Sequence, residues 1–316
     1  MRVSDSQRYQ HFTRDIEDRL SNFVRLEQEL AQGKRIFNPS EDVQMAKQAM
    51  QVRSNLAQNE QYVRNIEDGS NMVSSATSHL QNVIDLLNEI DALAVAADND
   101  HMTETDRHNN AVQMNQKIES LVESVNASQG DRYLFGGYNT NSAPFSIVRD
   151  EDGKITGVSV NEETIGGQIY RSIDRDENLR INIPGDRLFQ PVGAANTDQD
   201  MFYVASQLRD VIDNNNVPPE GQETTHSNDA LREKLSLIRD RVITEQTYLG
   251  SVGQRLNEKL DYYQEIEISL TEKLEDAQGV DMADLASRIA IEENVYNSLL
   301  AINSRLLGRS LVDYLS

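Results

Sequence analysis

Apolar residues recur at helical spacing over the first 130 positions. Ile16, Leu20, Phe23 and Leu30 stand 4, 3 and 7 residues apart, which sets them on one face of a helix. Gly33 and Asn38-Pro39 interrupt the pattern. Ser40 then reads as the N-cap of a second helix, with Glu41 and Asp42 favourable against its positive end. That helix carries Ile66, Val73, Leu80, Leu87 and Ala94 at a strict seven-residue interval, with Thr77 and Ile84 on a second seam. Strict sevens predict coiled-coil packing. A polar stretch from Asp98 to Arg107 breaks the helix, and Met114, Ile118, Leu121 and Val125 resume it.

The pattern changes over 131–220. Gly and Pro cluster there, from Gly136-Gly137 to Pro218-Pro219. Asp152-Gly153 separates Phe145–Val148 from Ile155–Val160, which predicts a hairpin. Leu179 to Ile183 alternates apolar and polar residues, the mark of a half-buried strand. A short amphipathic helix is expected at about 200–213. From 228 onward the helical pattern returns: Leu235, Ile238, Val242, Leu249, Leu256, Leu260, Tyr263, Leu270 and Leu274 follow 3/4 spacing. Gln278-Gly279 breaks this helix, Asp281 caps the next, and Leu285, Ile289, Tyr296, Leu299, Ile302 and Leu306 run towards the end.

The chain thus reads as helix, strand, helix. Each helix has a narrow apolar stripe that it cannot bury alone. The expected fold is mainly α with a small β domain: an antiparallel long-helix coiled-coil bundle built from both termini, with a β-rich outer domain inserted in the middle. The expected domains are an inner terminal-helix domain (1–40 plus 280–316), a coiled-coil core (41–135 plus 225–279) and the outer domain (136–224). A terminal helix pair has one mutual seam. Its other apolar residues need a partner from another chain, and burying each is worth roughly 1.5–3 kcal/mol. The expected assembly residues are Ile16, Leu20, Phe23, Leu30, Leu285, Ile289, Tyr296, Leu299, Ile302, Leu306 and Leu311.

Charge sharpens this picture. The net charge is −22 over 316 residues. Residues 1–50 hold 8 basic and 8 acidic residues, residues 280–316 hold 3 and 5, and the span between holds 19 and 39. The ends can pack together at little electrostatic cost; the acidic middle belongs in solvent and disfavours nucleic acid and anionic membranes. With no cysteine, disulfides, thiolate metal sites and cysteine nucleophiles are excluded. The first 20 residues carry four arginines and no apolar run, unlike a cleaved secretory signal, and no stretch reaches the length of a membrane helix.

Candidate chemistry is sparse. His11, His79, His101, His108 and His226 form no metal-binding spacing. Asp98-Asn99-Asp100 lacks the Gly and Glu of a calcium loop, holding Thr103 and Asn109 at those positions. Asp174, Asp176 and Glu177 read as a charged turn between strands rather than a catalytic carboxylate pair. Gly136-Gly137 and Gly166-Gly167 lack the rest of a phosphate loop. Asn126-Ala127-Ser128 matches a glycosylation sequon to which no role is assigned. No catalytic, cofactor-binding or metal-binding residue is expected, and no enzyme.

Motifs at both ends and in the middle resemble one family. They are Met1-Arg2-Val3-Ser4, Asn38-Pro39-Ser40-Glu41-Asp42, Tyr133-Leu134-Phe135-Gly136-Gly137 with Ala143-Pro144-Phe145, Asp281-Met282-Ala283-Asp284 and Ser310-Leu311-Val312-Asp313-Tyr314-Leu315. Together they resemble the hook-associated protein type 3 family, the flagellin-like junction proteins of the bacterial flagellum. Val43 departs from relatives that frequently carry Pro there. The resemblance implies a structural subunit that joins hook to filament by helical self-assembly, exported through the flagellar type III apparatus to an extracellular position. It implies as partners hook-associated protein type 1, flagellin, copies of itself in a helical or ring-like layer, and a cytoplasmic export chaperone, with no nucleic acid and no membrane. A flagellin-type filament subunit is the alternative within the same class. A coiled-coil chaperone or scaffold is a different one, requiring termini that function in the monomer.

Overall fold

The computed structural model describes residues 2–99, 101–151, 153–160, 165–215, 217 and 226–315, with side-chain environments within 7–302 of that span. In chain order the elements are α1 (Arg2–Gln32), α2 (Val43–Ala97), α3 (Glu104–Val125), β1 (Ser128–Gln129), β2 (Arg132–Tyr133), β3 (Phe145–Arg149), β4 (Ile155–Val160), β5 (Tyr170–Asp174), β6 (Glu177–Arg180), α4 (Gly185–Leu188), α5 (Met201–Asp213), α6 (Asn228–Gln278) and α7 (Met282–Leu315). The fold is mainly α with a small β region. Its contacts divide it into two units, residues 1–59 with 265–316 and residues 60–264.

In the terminal unit α1 and α7 pack side by side and antiparallel. Arg19 Nη1 donates to both carboxylate oxygens of Glu292 at 3.2 Å, and Lys34 forms an antiparallel bridge with Gly279. Both helical breaks therefore coincide, held by the Arg35 N–H donating to the Gln278 carbonyl at 2.8 Å. The cap of α2 is Asp42, not Ser40: its Oδ1 accepts from the Met45 N–H at 3.0 Å. Ser40 is displaced because Glu41 folds the connector back on itself, its carboxylate accepting from the Phe37 N–H and Asn38 Nδ2. Asp281 caps α7, its Oδ1 accepting from the N–H groups of Ala283 and Asp284.

In the second unit the seven-residue seam is buried: Ile66, Leu80 and Ala94 have no exposed surface, and Val73 and Leu87 almost none. It faces Leu231, Leu235, Ile238, Val242, Leu249 and Leu256 of α6, which are buried as well. The direction is antiparallel. Asn228 Nδ2 reaches the Ala94 carbonyl at 3.1 Å, Gln246 Nε2 the Thr77 carbonyl at 3.3 Å, and the rings of Tyr62 and Tyr263 meet at 5.3 Å. Gly69 sits mid-helix in α2 because a Cβ there would lie 3.2 Å from Ile181 and 3.6 Å from Leu256. A Thr103–Asp106 capping box starts α3. α3 folds back on α2, Arg107 donating to the Ala97 carbonyl and Lys117 pairing with Glu89.

Among the described residues the β content is three separate two-stranded antiparallel ribbons rather than one sheet. Such ribbons are marginal alone, and β3–β4 is supported by α3 and α5. Phe145 there joins Phe135, Phe189 and Phe202 in an aromatic cluster with centroids 5.1–5.9 Å apart. The hairpin falls where the sequence predicts it, with Phe145 opposite Val160; Asp152 of its turn lies outside the described residues. The alternating strand at 179–183 is only partly formed. β6 ends at Arg180, because Asn182 turns inward and its side chain takes over the pairing. Its Oδ1 accepts from the Ile169 N–H at 2.7 Å and its Nδ2 donates to the Gly167 carbonyl at 2.9 Å.

Candidate assembly surface

The apolar stripes of α1 and α7 exceed what two helices can bury in each other. Leu26 and Leu285 fill the mutual seam. Outside it, Ile16, Phe23, Ile289, Tyr296 and Leu299 are half-buried. Leu20, Leu30 and Ile302 are exposed, at 45%, 42% and 47%. Leu306 and Leu311 belong to α7, but their side chains lie outside the described residues. Val24, Ile291 and Leu300 are exposed too. An uncovered apolar surface of this kind marks a site of association. Charges beside it are partly paired, Arg19 with Glu292 and Arg25 with both Glu29 and Glu41, which lowers the electrostatic cost of burying such a face against a neighbour. Leu285 contributes from within, fixing the helix pair on which the exposed residues are displayed.

The remaining candidates resolve into structural roles. The turn of Asp174, Asp176 and Glu177 joins β5 to β6 and is tied to α6. Lys259 Nζ lies 2.7 Å from Asp174 and 3.4 Å from Glu177, and Arg255 lies 2.6 Å from Glu177. The hydrogen bond from Lys259 holds the Asp174 carboxyl below its ordinary range, and the same contact raises Lys259. Asn126 of the sequon is committed to Phe145, accepting from its N–H at 3.0 Å and donating to its carbonyl at 2.8 Å. Gly137, at φ +61°, admits the backbone of Ile165, whose oxygen would lie 2.5 Å from a Cβ; it serves a turn, not a phosphate. His108 pairs with Asp213 at 2.8 Å. Among the described residues no three His, Asp or Glu side chains converge on a metal position; Asp100 of the calcium-like stretch lies outside them. No described helix is long and apolar enough to cross a membrane.

Two buried polar groups escaped the reading of the sequence. Arg209 of α5 is 2% exposed. It donates to the Ile155 carbonyl at 2.8 Å and to Asn115 Oδ1 at 2.6 Å, and it pairs with Asp210. Asp200 caps α5 through the N–H groups of Phe202 and Tyr203 and also accepts from Gln190; burial raises its carboxyl above the ordinary range. The signal for Arg209 was its place among Val204, Ala205, Leu208 and Ile212, the buried face of the helix. A third feature is a hollow of about 200 Å³ at the connector between α1 and α2, where the helical spacing is interrupted.

Comparison with known proteins agrees with the motifs. Residues 3–140 match the family model for the bacterial flagellin N-terminal helical region. The chain is 29% identical over 193 residues to flagellar hook-associated protein 3 of Escherichia coli (strain K12), a match covering 61% of this chain and 58% of that one. It thus spans less than two thirds of that relative. It is 24% identical over 264 residues to flagellar hook-associated protein 3 of Salmonella typhimurium, covering 79% and 80%. In fold it is similar to a putative flagellar hook-associated protein from Vibrio parahaemolyticus, with a TM-score of 0.63 at 17% identity over 76% of this chain and all of that one. The family model thus covers the N-terminal part of the chain, and the likeness in fold extends over three quarters of it.

Proposed function

We propose that this chain is a structural subunit of the bacterial flagellum that joins the hook to the flagellin filament, and that it is not an enzyme. The observation that carries this reading is the uncovered apolar face of the terminal helix pair, whose seam is filled by Leu26 and Leu285 while Leu20, Leu30 and Ile302 remain exposed. Water disfavours such a face, and neighbouring copies relieve it. The names of both curated relatives favour the junction over the filament-subunit alternative.

In this reading the chain divides into an inner assembly part (1–40 with 280–316), a coiled-coil core (41–135 with 225–279) and an outer part (136–224). The inner part carries Ile16, Leu20, Phe23, Leu30, Ile289, Tyr296, Leu299, Ile302, Leu306 and Leu311 to neighbouring subunits, with Leu285 beneath them. Its neighbours are further copies, hook-associated protein type 1 on the hook side and flagellin on the filament side. It reaches that position through the flagellar type III apparatus with the help of a cytoplasmic chaperone. A strain lacking the protein is expected to synthesise flagellin and release it as monomer, with filaments restored by the wild-type chain. Normal attached filaments in that strain contradict the proposal.

A further inference from the structure

The connector between α1 and α2 borders an open hollow of about 200 Å³, lined in part by the apolar residues Ile36, Phe37, Met45, Ala49 and the exposed Met50. Cavities of roughly 150 Å³ accept a group the size of benzene, so a branched aliphatic side chain fits. Its rim is cationic. Lys34 has no carboxylate partner among the described residues, and the Arg53 guanidinium is held only by the Gln278 side-chain carbonyl. The two acids of the same connector are already engaged, Glu41 by Asn38 and Arg25 and Asp42 by the Met45 N–H. On a chain of net charge −22, two cations without a carboxylate partner beside an apolar hollow suit an acidic, apolar-tipped guest.

The chain carries such a guest on α6. Ile268 is 62% exposed. Glu265, Glu272 and Glu275 lie on the same helical face, 3 residues before it and 4 and 7 after it, all exposed and without a cationic partner among the described residues. Ile268 cannot enter the cavity of its own chain. Gln278, which lines the cavity, stands 10 residues further along the same helix, a separation of about 15 Å.

We propose that Ile268 of one copy enters the α1–α2 cavity of the next, with Glu265 and Glu272 meeting Lys34 and Arg53. This rests on the junction reading and names one contact within its layer of copies. Two different patches meet, so the contact is heterologous and propagates into a ring or a helical turn rather than closing as a dimer.

The absence of cysteine from the sequence makes the contact testable by paired cysteine substitution. In isolated hook–filament complexes, Met50→Cys combined with Ile268→Cys is expected to give a ladder of linked copies with a short bismaleimide, and each single variant is expected to stay monomeric. Independently, Arg53→Glu and Glu272→Arg are each expected to lose attached filaments, and the double reversal to regain them. Three results overturn the proposal: complexes that hold filaments and contain the paired-cysteine protein yet give no ladder; Ile268→Cys alone giving dimers; or charge reversals that are silent singly or unrescued together. Absence of the protein from hook–filament complexes overturns the junction reading itself, and this contact with it.

Discussion

At the scale of single residues, stability rests on a few buried or clasped polar groups. Removing the Arg209 side chain costs the Ile155 carbonyl and Asn115 Oδ1 one donor each, the latter keeping the Ile155 N–H at 3.2 Å. Each such loss costs about 1–3 kcal/mol. Arg209→Ala is therefore expected to destabilise the second unit by about 3 kcal/mol in denaturant unfolding. The Lys259 clasp makes a pH-dependent contribution. The Asp174 carboxyl lies below its ordinary 3.8 and Lys259 above its ordinary 10.5 when folded. A depressed carboxyl contributes stability above its unfolded pKa and loses it as pH falls through the folded value. A raised ammonium contributes below its unfolded pKa and loses it as pH rises through the folded one. Melting temperatures of wild type and Lys259→Met are thus expected to differ steadily between about pH 4 and pH 10 and to converge on either side. A gap that persists unchanged at pH 2 contradicts the clasp.

At the scale of elements, the long helices were legible because their pattern is simple. A side chain every seventh residue can face only one neighbour, and Ile66 through Ala94 do so. Leu80→Ala and Leu87→Ala are each expected to cost 2–5 kcal/mol, the usual range for a buried leucine; unchanged melting of both places the seam elsewhere. What was not legible depends on side chains that act on backbone from a distance. Asn182 ends β6 by replacing its ladder, and no alternation rule contains that information. The cap of α2 fell on Asp42 rather than Ser40 because Glu41 consumes the preceding turn. The β3–β4 ribbon rests on α3 and α5 rather than on another ribbon, a long-range packing that local spacing does not encode. The cavity at the α1–α2 connector is formed by a break in periodicity, where a reading based on periodicity is silent.

At the scale of the whole molecule, charge and apolar surface are distributed in a way that suits assembly. The terminal segments are nearly neutral and carry exposed Leu20, Leu30 and Ile302, and the span between them holds most of the −22. Ile302→Glu is expected to leave the melting of the second unit unchanged, because that residue lies in the terminal unit. It is expected to abolish filament retention, since burying an unpaired carboxylate costs several kcal/mol at every copy. Val148→Lys, on the exposed side of the β3–β4 ribbon, is expected to leave filaments attached. A normally motile Ile302→Glu strain beside a Val148→Lys strain that sheds its filaments places the assembly surface in the outer part instead. The most direct test of the central claim is the position of the protein in purified flagella, read by immunogold labelling of hooks with filaments attached. The account predicts label confined to a narrow band between hook and filament. Label along the whole filament, or none on the flagellum, contradicts it.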